Sequence, residues 1–194
     1  MNNIVKIFRT QKHWICIIVL ALVCTGAVFA IDFSQSSEHV QPGNVLLSGG
    51  LGFGSASGRE YGWSGSSSFF GLSFAADYAL ANFSLTVGGE SGAYYAGGWL
   101  DAGIIPFMGR LGYHPNIGVD NLNVYALFKL GFAIFFHAET HLGFGIGLGL
   151  GGRYFFTDKI GGFVELGLDR YSFSGNRISG NGSKFFTSGI SYKL

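Results

Sequence analysis

Apolar residues alternate with small or polar residues along most of this chain, with the period of two that is typical of a β-strand. The stretch from Leu142 to Phe156, "LGFGIGLGLGGRYFF", shows the pattern most plainly, because glycine takes every second position for five repeats. Alternate side chains of a strand point to opposite faces. The stretch therefore predicts a strand with one large apolar face and one face of glycine.

Seven further segments alternate in the same way, so eight strands of about ten residues are predicted. The opposite face of each segment carries small or polar residues. The apolar positions of the seven segments are Val45, Leu47, Leu51 and Phe53; Phe70, Leu72, Phe74, Ala76, Tyr78 and Leu80; Phe83, Leu85 and Val87; Ile105, Phe107, Leu111 and Tyr113; Leu122, Val124, Ala126, Phe128, Leu130 and Phe132; Val164, Leu166 and Leu168; and Phe186, Ile190, Tyr192 and Leu194.

The connections between these segments are predicted to alternate in length. Three are short and four are mostly longer. The short ones are residues 81–82, 115–121 and 157–159, and the longer ones are residues 58–68, 91–101, 135–141 and 174–183. Short turns on one rim and longer loops on the other are typical of barrels that cross an outer membrane.

A soluble β-sandwich would show the same alternation, since its polar face meets water. The unusually continuous apolar faces, with aromatic residues at their ends, favour a sheet that closes in lipid. We therefore expect an all-β fold, an eight-stranded antiparallel up-and-down transmembrane β-barrel over residues 44–194. An even number of strands returns both termini to the short-turn rim, which is then periplasmic.

The first thirty residues have the three parts of a secretory signal peptide. Lys6, Arg9 and Lys12 form a positive region, residues 14–23 form an apolar run of ten, and "AVFA" ends at Ala30. A run of ten is too short to span a bilayer as a helix, which needs ~20 residues. We expect cleavage after Ala30, a mature chain from about Ile31, and a polar periplasmic lead-in over residues 31–43. A lipoprotein signal that ends at Cys24 is the alternative.

Charged residues make up 12% of the chain, about half of the usual ~25%. The formal charge of +1 gives no electrostatic reason to expect nucleic acid as a partner. Eight of the charges fall on the predicted inner face, where an unpaired charge is costly. We expect these four acidic and four basic side chains to form a neutral lumen ion-pair network: Asp77, Glu90, Arg110, Lys129, Arg153, Glu165, Asp169 and Lys193.

The ending "TSGISYKL" resembles the C-terminal assembly signal of outer-membrane proteins, with Thr187, Gly189, Tyr192 and Leu194 in its places. The usual last residue is phenylalanine, so Leu194 departs from that pattern. With the architecture, the mature chain resembles the small eight-stranded barrels of the OmpA-domain, OmpX and OmpW group. The resemblance implies a bacterial outer membrane as location, and outer-membrane lipid, periplasmic chaperones and the barrel-assembly machinery as partners.

Two groups of residues are candidates for chemistry or binding. His137, Glu139 and His141 lie in a predicted loop and are weak candidates for a metal site, since a solvated loop explains them more simply. The loop aromatics Trp63, Tyr94, Tyr95 and Trp99 are predicted either to anchor the barrel at the lipid headgroups or to contact a host surface or a small hydrophobic ligand.

No cofactor and no catalytic residue are expected. The barrel deacylases of lipid A resemble one another in a His-x-Ser pair, and this sequence does not contain that pair. A non-enzymatic barrel with an envelope-structural or surface-interaction role is therefore the first hypothesis, with its extracellular loops as the interacting part. A narrow channel for small or hydrophobic solutes, as in the OmpW resemblance, is the alternative, and a lipid A-modifying enzyme is the third.

Overall fold

The computed structural model describes residues 32–36, 40–60, 63–80, 84–97, 101–119, 121–136, 140–174 and 178–194. The predicted signal peptide lies outside these residues. The chain divides into two compact units, Met1–Phe33 and Ser34–Leu194, and the strands from β2 onward belong to the second unit. Among the described residues, no helix has the length and apolar character needed to cross a membrane.

The described chain contains ten β-strands. In chain order they are β1 (Asp32–Ser36), β2 (Val45–Glu60), β3 (Trp63–Ala79), β4 (Leu85–Ala96), β5 (Ala102–Tyr113), β6 (Pro115–Asn116), β7 (Leu122–Phe136), β8 (Thr140–Phe155), β9 (Ile160–Ser174) and β10 (Ile178–Lys193). Strands β1 and β6 form a two-stranded sheet.

The other eight strands form a closed antiparallel barrel in the order β10-β2-β3-β4-β5-β7-β8-β9. Each barrel strand pairs with the next barrel strand along the chain, and β10 closes the sheet by pairing with β2 from Lys193 opposite Leu46 to Ile178 opposite Glu60. The predicted eight-stranded up-and-down barrel is confirmed. Closure matters because a sheet edge in hydrocarbon would leave peptide N–H and C=O groups without partners.

The predicted division of the strands into an outer and an inner face is also confirmed. On β8 the outward side chains of Leu142, Phe144 and Leu148 are more than half exposed, at 69%, 57% and 64%. Polar residues such as Asn123 and Glu165 point inward and are buried. The barrel therefore exposes its apolar face and encloses its ionic one, the reverse of a soluble protein.

The glycines of β8 make room for side chains that lean over them. A Cβ atom at Gly145 would lie 2.7 Å from the Met108 sulfur, and one at Gly151 would meet the ring of Tyr125. At Gly147 a Cβ would meet the carboxylate of Asp169. Tyr125 and Asp169 come from β7 and β9, the strands adjacent to β8, so much of the space is taken by neighbours rather than by the opposite wall.

The connections differ from the predicted alternation of short and long. Strand β2 continues to Glu60 and β3 begins at Trp63, so most of the predicted loop over residues 58–68 is strand. The predicted loops over 91–101, 135–141 and 174–183 are likewise mostly strand. Serine and glycine predict a loop when read alone, but here cross-strand pairs such as Ser57 opposite Ser66 continue the ladder.

Two rims follow from this topology. We call the rim where β2 begins and β10 ends the terminal rim, and the opposite one the hairpin rim. A membrane-crossing strand needs ~9–11 residues, whereas β2, β3 and β10 have 16, 17 and 16. The excess lies toward the hairpin rim. There residues 170–174, 178–184, 54–60 and 63–69 of β9, β10, β2 and β3 form what we call the projecting sheet. On one side β9 stays paired with β8 as far as Phe173, and on the other side β3 runs past β4, so that residues 63–68 pair with β2 alone.

A β-bulge interrupts β10 in the middle of the wall. The register shifts between Lys184 and Phe186 against both neighbours. Against β2 the extra residue is Phe185, whereas against β9 the two residues Gly167 and Leu168 lie opposite Phe185. Phe185 and Phe186 are both exposed on the outer face, and Lys184 points into the interior. The bulge therefore reverses the inward and outward alternation of β10 on its hairpin-rim side.

Nitroxide labels test the orientation of the wall in a bilayer. A label at Leu148 or Val164, both on the outer face, should be relaxed strongly by oxygen and weakly by a water-soluble nickel complex, because acyl chains surround it. A label at Asp158, in the exposed connection between β8 and β9, is the control and should show the opposite preference. Water-like relaxation at Leu148 would contradict the membrane orientation of the barrel.

Candidate functional site

The barrel interior is filled by three layers of side chains. Nearest the hairpin rim lies an apolar cluster, the middle is an ion-pair cluster, and a group of polar side chains lies toward the terminal rim. The apolar cluster comprises Ala56, Phe69, Tyr94, Ala96, Ala102, Ile104, Met108, Ala133, Phe135 and Tyr171, with Phe173 packed against it. Eight strands leave an interior just wide enough for side chains to fill.

Arg110 on β5 is the centre of the ion-pair cluster. Its Nε donates to Asp77 on β3 at 3.1 Å, and its Nη1 donates to Glu90 on β4 at 2.8 Å. Its Nη2 donates to Glu165 on β9 at 2.8 Å. One buried guanidinium therefore links carboxylates from both sides of the lumen, and its planar set of donors suits this better than the single ammonium group of lysine.

Two lysines complete the cluster. Lys129 on β7 lies 2.8 Å from Glu90 and 3.0 Å from Asp169. Lys184 on β10 lies 3.0 Å from Asp169 and also contacts Glu90. Both ammonium groups bridge the same two carboxylates, so β4, β7, β9 and β10 are joined through the interior.

Lys184 was missed by the sequence prediction. The alternation of β10 places even-numbered residues such as Phe186 and Ile190 outward, and position 184 follows the same parity. The bulge at Phe185 reverses that parity. The adjacent pair Phe185 and Phe186 was the available signal, because two neighbouring apolar residues that both face lipid require an extra residue in the strand.

Six of the eight predicted network residues lie in this cluster, and the other two make different contacts. Arg153 donates from Nε to Ser191 at 2.8 Å and from Nη2 to Ser48 at 3.2 Å. Lys193 lies over the ring of Phe155, with Nζ 5.5 Å from the ring centre. Both basic groups therefore lie toward the terminal rim, outside the described ion pairs.

The charges nevertheless balance in the described interior. Asp77, Glu90, Glu165 and Asp169 are four negative groups, against which Arg110, Lys129 and Lys184 are three positive ones. The guanidinium of Arg153 supplies the fourth, since it lies 5.1 Å from the ring centre of Tyr125, whose hydroxyl donates to Glu165 at 3.1 Å. Lys184 takes the place that the sequence analysis gave to Lys193.

A hydroxyl, an imidazole and an amide lie in series toward the terminal rim. Thr86 Oγ1 lies 3.0 Å from His114 Nε2, and His114 Nδ1 lies 2.9 Å from Asn123 Oδ1. This spacing is also that of a nucleophile, base and orienting group. All three side chains are at most 2% exposed, so a substrate cannot reach the hydroxyl, and the series is a buried hydrogen-bond chain.

Val40, Leu46, Ala79 and Phe155 form a second buried apolar cluster, beside this polar layer at the terminal rim. Beside Lys129 and Lys184 the filled interior leaves a void of about 10 Å³, which is room for about one water molecule. The described interior is therefore closely packed around the ion-pair cluster.

The weak metal candidates are only partly placed. His137 and Glu139 lie outside the described residues. His141 lies on β8 and stacks on Phe173, with ring centres 5.8 Å apart. The described residues contain no group of three or more His, Cys, Asp or Glu side chains that would hold a metal ion.

Two of the predicted loop aromatics are not in a loop. Tyr94 and Tyr95 lie on β4, which runs to Ala96. Tyr94 points inward and packs edge-to-face on Phe69 at 5.4 Å between ring centres, whereas Tyr95 faces outward and donates its hydroxyl to Asp101 at 2.5 Å. Trp63 is the first residue of β3, its side chain is not among the described ones, and Trp99 lies outside the described residues.

The residues of the predicted assembly signal alternate along β10. Thr187 is buried in the interior, and Tyr192 and Leu194 are exposed outward. Gly189 lies opposite Gly50 on β2, where a Cβ atom would meet the Gly49 carbonyl oxygen. Close contact between the strands that close the barrel therefore accounts for glycine at position 189 in the folded protein.

Solved structures with the same fold are small outer-membrane barrels. Neisserial surface protein A aligns with a TM-score of 0.60 and 14% identity over 78% of this chain and 97% of that one. The outer membrane protein OprG from Pseudomonas aeruginosa aligns with a TM-score of 0.51 and 16% identity, covering 84% and 99%. The outer membrane protein AlkL, solved in DMPC lipid bilayers, aligns with a TM-score of 0.50 and 14% identity, covering 84% and 95%.

These similarities show the fold, and they confirm the predicted resemblance to small eight-stranded outer-membrane barrels at that level. No protein-family model matches the chain, and no curated protein sequence matches it. The chain thus has the eight-stranded barrel fold of these outer-membrane proteins.

Removing the central guanidinium should destabilise the barrel strongly. Arg110→Ala leaves the carboxylates of Asp77, Glu90 and Glu165 with less positive charge, and breaking a buried ion pair in this way costs about 3–5 kcal/mol. Urea unfolding in lipid vesicles, followed by the mobility of the folded band on a gel, measures the change. Lys159→Ala, which removes an exposed cation in a turn, is the control and should change stability by less than about 0.5 kcal/mol. Equal effects of the two variants would contradict a stabilising cluster.

Two adjacent glycines of β8 allow a matched test of the packed interior. Gly151→Ala should destabilise the barrel by about 1–3 kcal/mol, because the new Cβ meets the Tyr125 ring. Gly152→Ala should be close to neutral, since a Cβ at that position meets no atom within 4 Å. The same unfolding measurement separates them, and equal stability of the two variants would show that the interior has space to spare.

Proposed function

We propose that this chain is an integral protein of a bacterial outer membrane that acts without catalysis, with a role in the structure of the envelope or in contacts at its surface. The observation that carries this proposal is the filled interior. Side chains from β3, β4, β5, β7, β9 and β10 meet in the ion-pair cluster. A lumen closed in this way leaves the outer surface as the part of the barrel that meets other molecules.

The projecting sheet is the part of that surface where β3 runs past the end of its neighbour β4 at the hairpin rim. Its inward residues Ala56, Phe69 and Tyr171 belong to the apolar cluster, so the extension is held on the barrel from within. The interacting surface is therefore built from paired strands, where the sequence analysis expected four loops. Paired strands hold their outward side chains in a fixed array, because the register of every neighbour is set by the ladder.

The proposed orientation places the terminal rim in the periplasm. It rests on the signal peptide predicted before Ile31 and on the C-terminal sequence, which would be read by the barrel-assembly machinery and by periplasmic chaperones. Outward exposure of Tyr192 and Leu194 supports this reading, because both side chains of the terminal strand are available to a partner before the barrel closes. The hairpin rim and the projecting sheet then face the cell surface, where a host surface is a candidate partner.

The alternative function, a narrow channel for small or hydrophobic solutes, would need a path through the interior. Along the barrel such a path meets the apolar cluster, the ion pairs and the hydrogen-bond chain in turn. Opening it requires separating Arg110 and Lys129 from their carboxylates, which are at most 6% exposed. The packing therefore favours the structural and surface role over conduction.

Conductance and location test the proposal together. The mature chain should appear in the outer-membrane fraction, change its gel mobility on boiling, and give no single-channel steps in a planar bilayer. The mobility change shows that the protein in the same sample is folded, so silent bilayers do not result from a misfolded sample. Reproducible single-channel steps would overturn the closed-lumen proposal, and altered lipid A in expressing cells would overturn the non-enzymatic one.

A further inference from the structure

Val40, in the segment before the first barrel strand, lies across the opening of the barrel at the terminal rim. Its side chain is 2% exposed and packs with Leu46, Ala79 and Phe155. These three inward residues belong to β2, β3 and β8. Strands β3 and β8 are four strands apart in either direction around the barrel. A side chain that joins a cluster with residues from opposite walls lies within the opening, because the outside of the barrel would bring it near only one wall.

A tight turn holds Val40 in this position. Residues 41–44 form a β-turn in which Asn44 N donates to Gln41 O at 3.1 Å, and Gln41 N donates in return to Asn44 Oδ1 at 3.0 Å. Pro42 and Gly43 take the second and third positions, and the φ of Gly43 is 88°, as in a type II turn. The ring of proline fixes its own φ, so this turn loses less conformational entropy on folding than a flexible segment would.

The turn is also bonded to the wall of the barrel. Gly43 N donates to Ala79 O at 3.0 Å, and Ala79 N donates to Asn44 O at 2.9 Å. These bonds continue the antiparallel pairing of β2 with β3 beyond Val45, which lies opposite Tyr78. The direction in which the chain leaves the wall, and with it the position of Val40, is therefore fixed by the barrel itself.

The buried polar layer begins one inward position below this apolar cluster. On β2, β3 and β8 the next inward residues are Ser48, Asp77 and Arg153, which are at most 7% exposed. Arg153 donates to Ser48 at 3.2 Å and to Ser191 at 2.8 Å. Water that entered at the terminal rim would compete for these hydrogen bonds and would screen the charges below them.

We propose that residues 40–44 form a seal that closes the terminal end of the lumen. Val40 fills the opening, and the turn over residues 41–44 holds it there. The seal keeps water from Arg153 and from the ion pairs beyond it. It is formed by residues that precede the barrel strands, so it opens at a lower free-energy cost than the barrel unfolds. This inference goes beyond the proposed function, and it does not depend on the cell compartment in which the barrel lies.

The reactivity of a single buried thiol tests the seal. Both cysteines of the sequence lie in the predicted signal peptide, so Ser48→Cys gives the mature chain one thiol, directly below the apolar cluster. The chain is folded in detergent micelles and treated with a negatively charged, water-soluble methanethiosulfonate reagent, and mass spectrometry measures the rate of modification. Ser73→Cys is the reference, because Ser73 lies deeper and donates to Glu90 at 3.4 Å. With native Val40, both thiols should react slowly.

Two substitutions should open the seal by different routes. Val40→Ala removes buried apolar area and should raise the rate at Ser48→Cys about tenfold, because the open form becomes more populated. Gly43→Ala should raise it about fivefold, since a residue with a Cβ is strained at positive φ. A Cβ at Gly43 meets no atom within 4 Å, so this substitution acts through the backbone of the turn alone. The rate at Ser73→Cys should stay low in both variants.

Each substitution has a matched control in the connection that precedes β7, at the same rim. Val119→Ala removes the same atoms from a side chain that is 54% exposed. Gly118→Ala introduces the same kind of backbone strain, because the φ of Gly118 is 67° and a Cβ there also meets no atom within 4 Å. Neither control should change the rate at Ser48→Cys.

Three results would overturn the inference. A fast reaction of Ser48→Cys in the chain with native Val40 would show that the terminal end is open. An unchanged rate in Val40→Ala and Gly43→Ala would show that these contacts anchor the segment without excluding water. An equal increase at Ser48→Cys and Ser73→Cys would show that the whole barrel loosens and that no separate seal exists. The change of gel mobility on boiling confirms that each variant is folded.

Discussion

The structure depends on the requirement that every peptide group in hydrocarbon has a hydrogen-bond partner within the protein. An unsatisfied group there costs several kcal/mol, so the last strand must pair with the first. The register of β10 on β2, with Gly189 packed against Gly49 and Gly50, meets that requirement along the closing seam. A closed barrel of eight strands has a narrow interior, which is just wide enough for the inward side chains to fill.

The ion pairs follow from that filling. A charge in a dry lumen is tolerated when an opposite charge and further hydrogen bonds surround it. Arg110 meets three carboxylates, and the bulge at Phe185 turns Lys184 inward to meet two. An irregularity in the wall thus completes the charge balance of the interior. Three of these contacts, Arg110 to Asp77, Arg110 to Glu165 and Lys184 to Glu90, join strands that are not neighbours in the sheet, so they also resist flattening of the barrel.

The barrel and most of the ion-pair cluster are predictable from the sequence. The exceptions arise from a bulge in β10 and from pairing between strands. The alternation of apolar with small or polar residues in the eight segments predicts which side chains meet lipid, so the barrel and six members of the ion-pair cluster follow from it. Lys184 does not follow, because a single bulge reverses the parity on which the prediction depends. Tyr94 and Ser66 were read as loop residues by composition, whereas pairing with neighbouring strands decides their conformation. The register of a strand depends on its partner as well as on its own sequence. The pattern of a single segment therefore does not predict which residues it pairs with.

In the projecting sheet the inward face packs in the apolar cluster and the outward face is exposed. The outward side chains of the projecting sheet are mostly serine, which buries little apolar area, so they contribute little to its stability. The inward residues Phe69 and Tyr171 contribute more, since they pack with Ile104 and Phe135 in the apolar cluster. The outward side chains therefore add less apolar burial to this part of the sheet than the inward ones do. The outward side chains of Ser55, Ser57 and Arg170 are exposed, so the outer face is where a partner is to be sought.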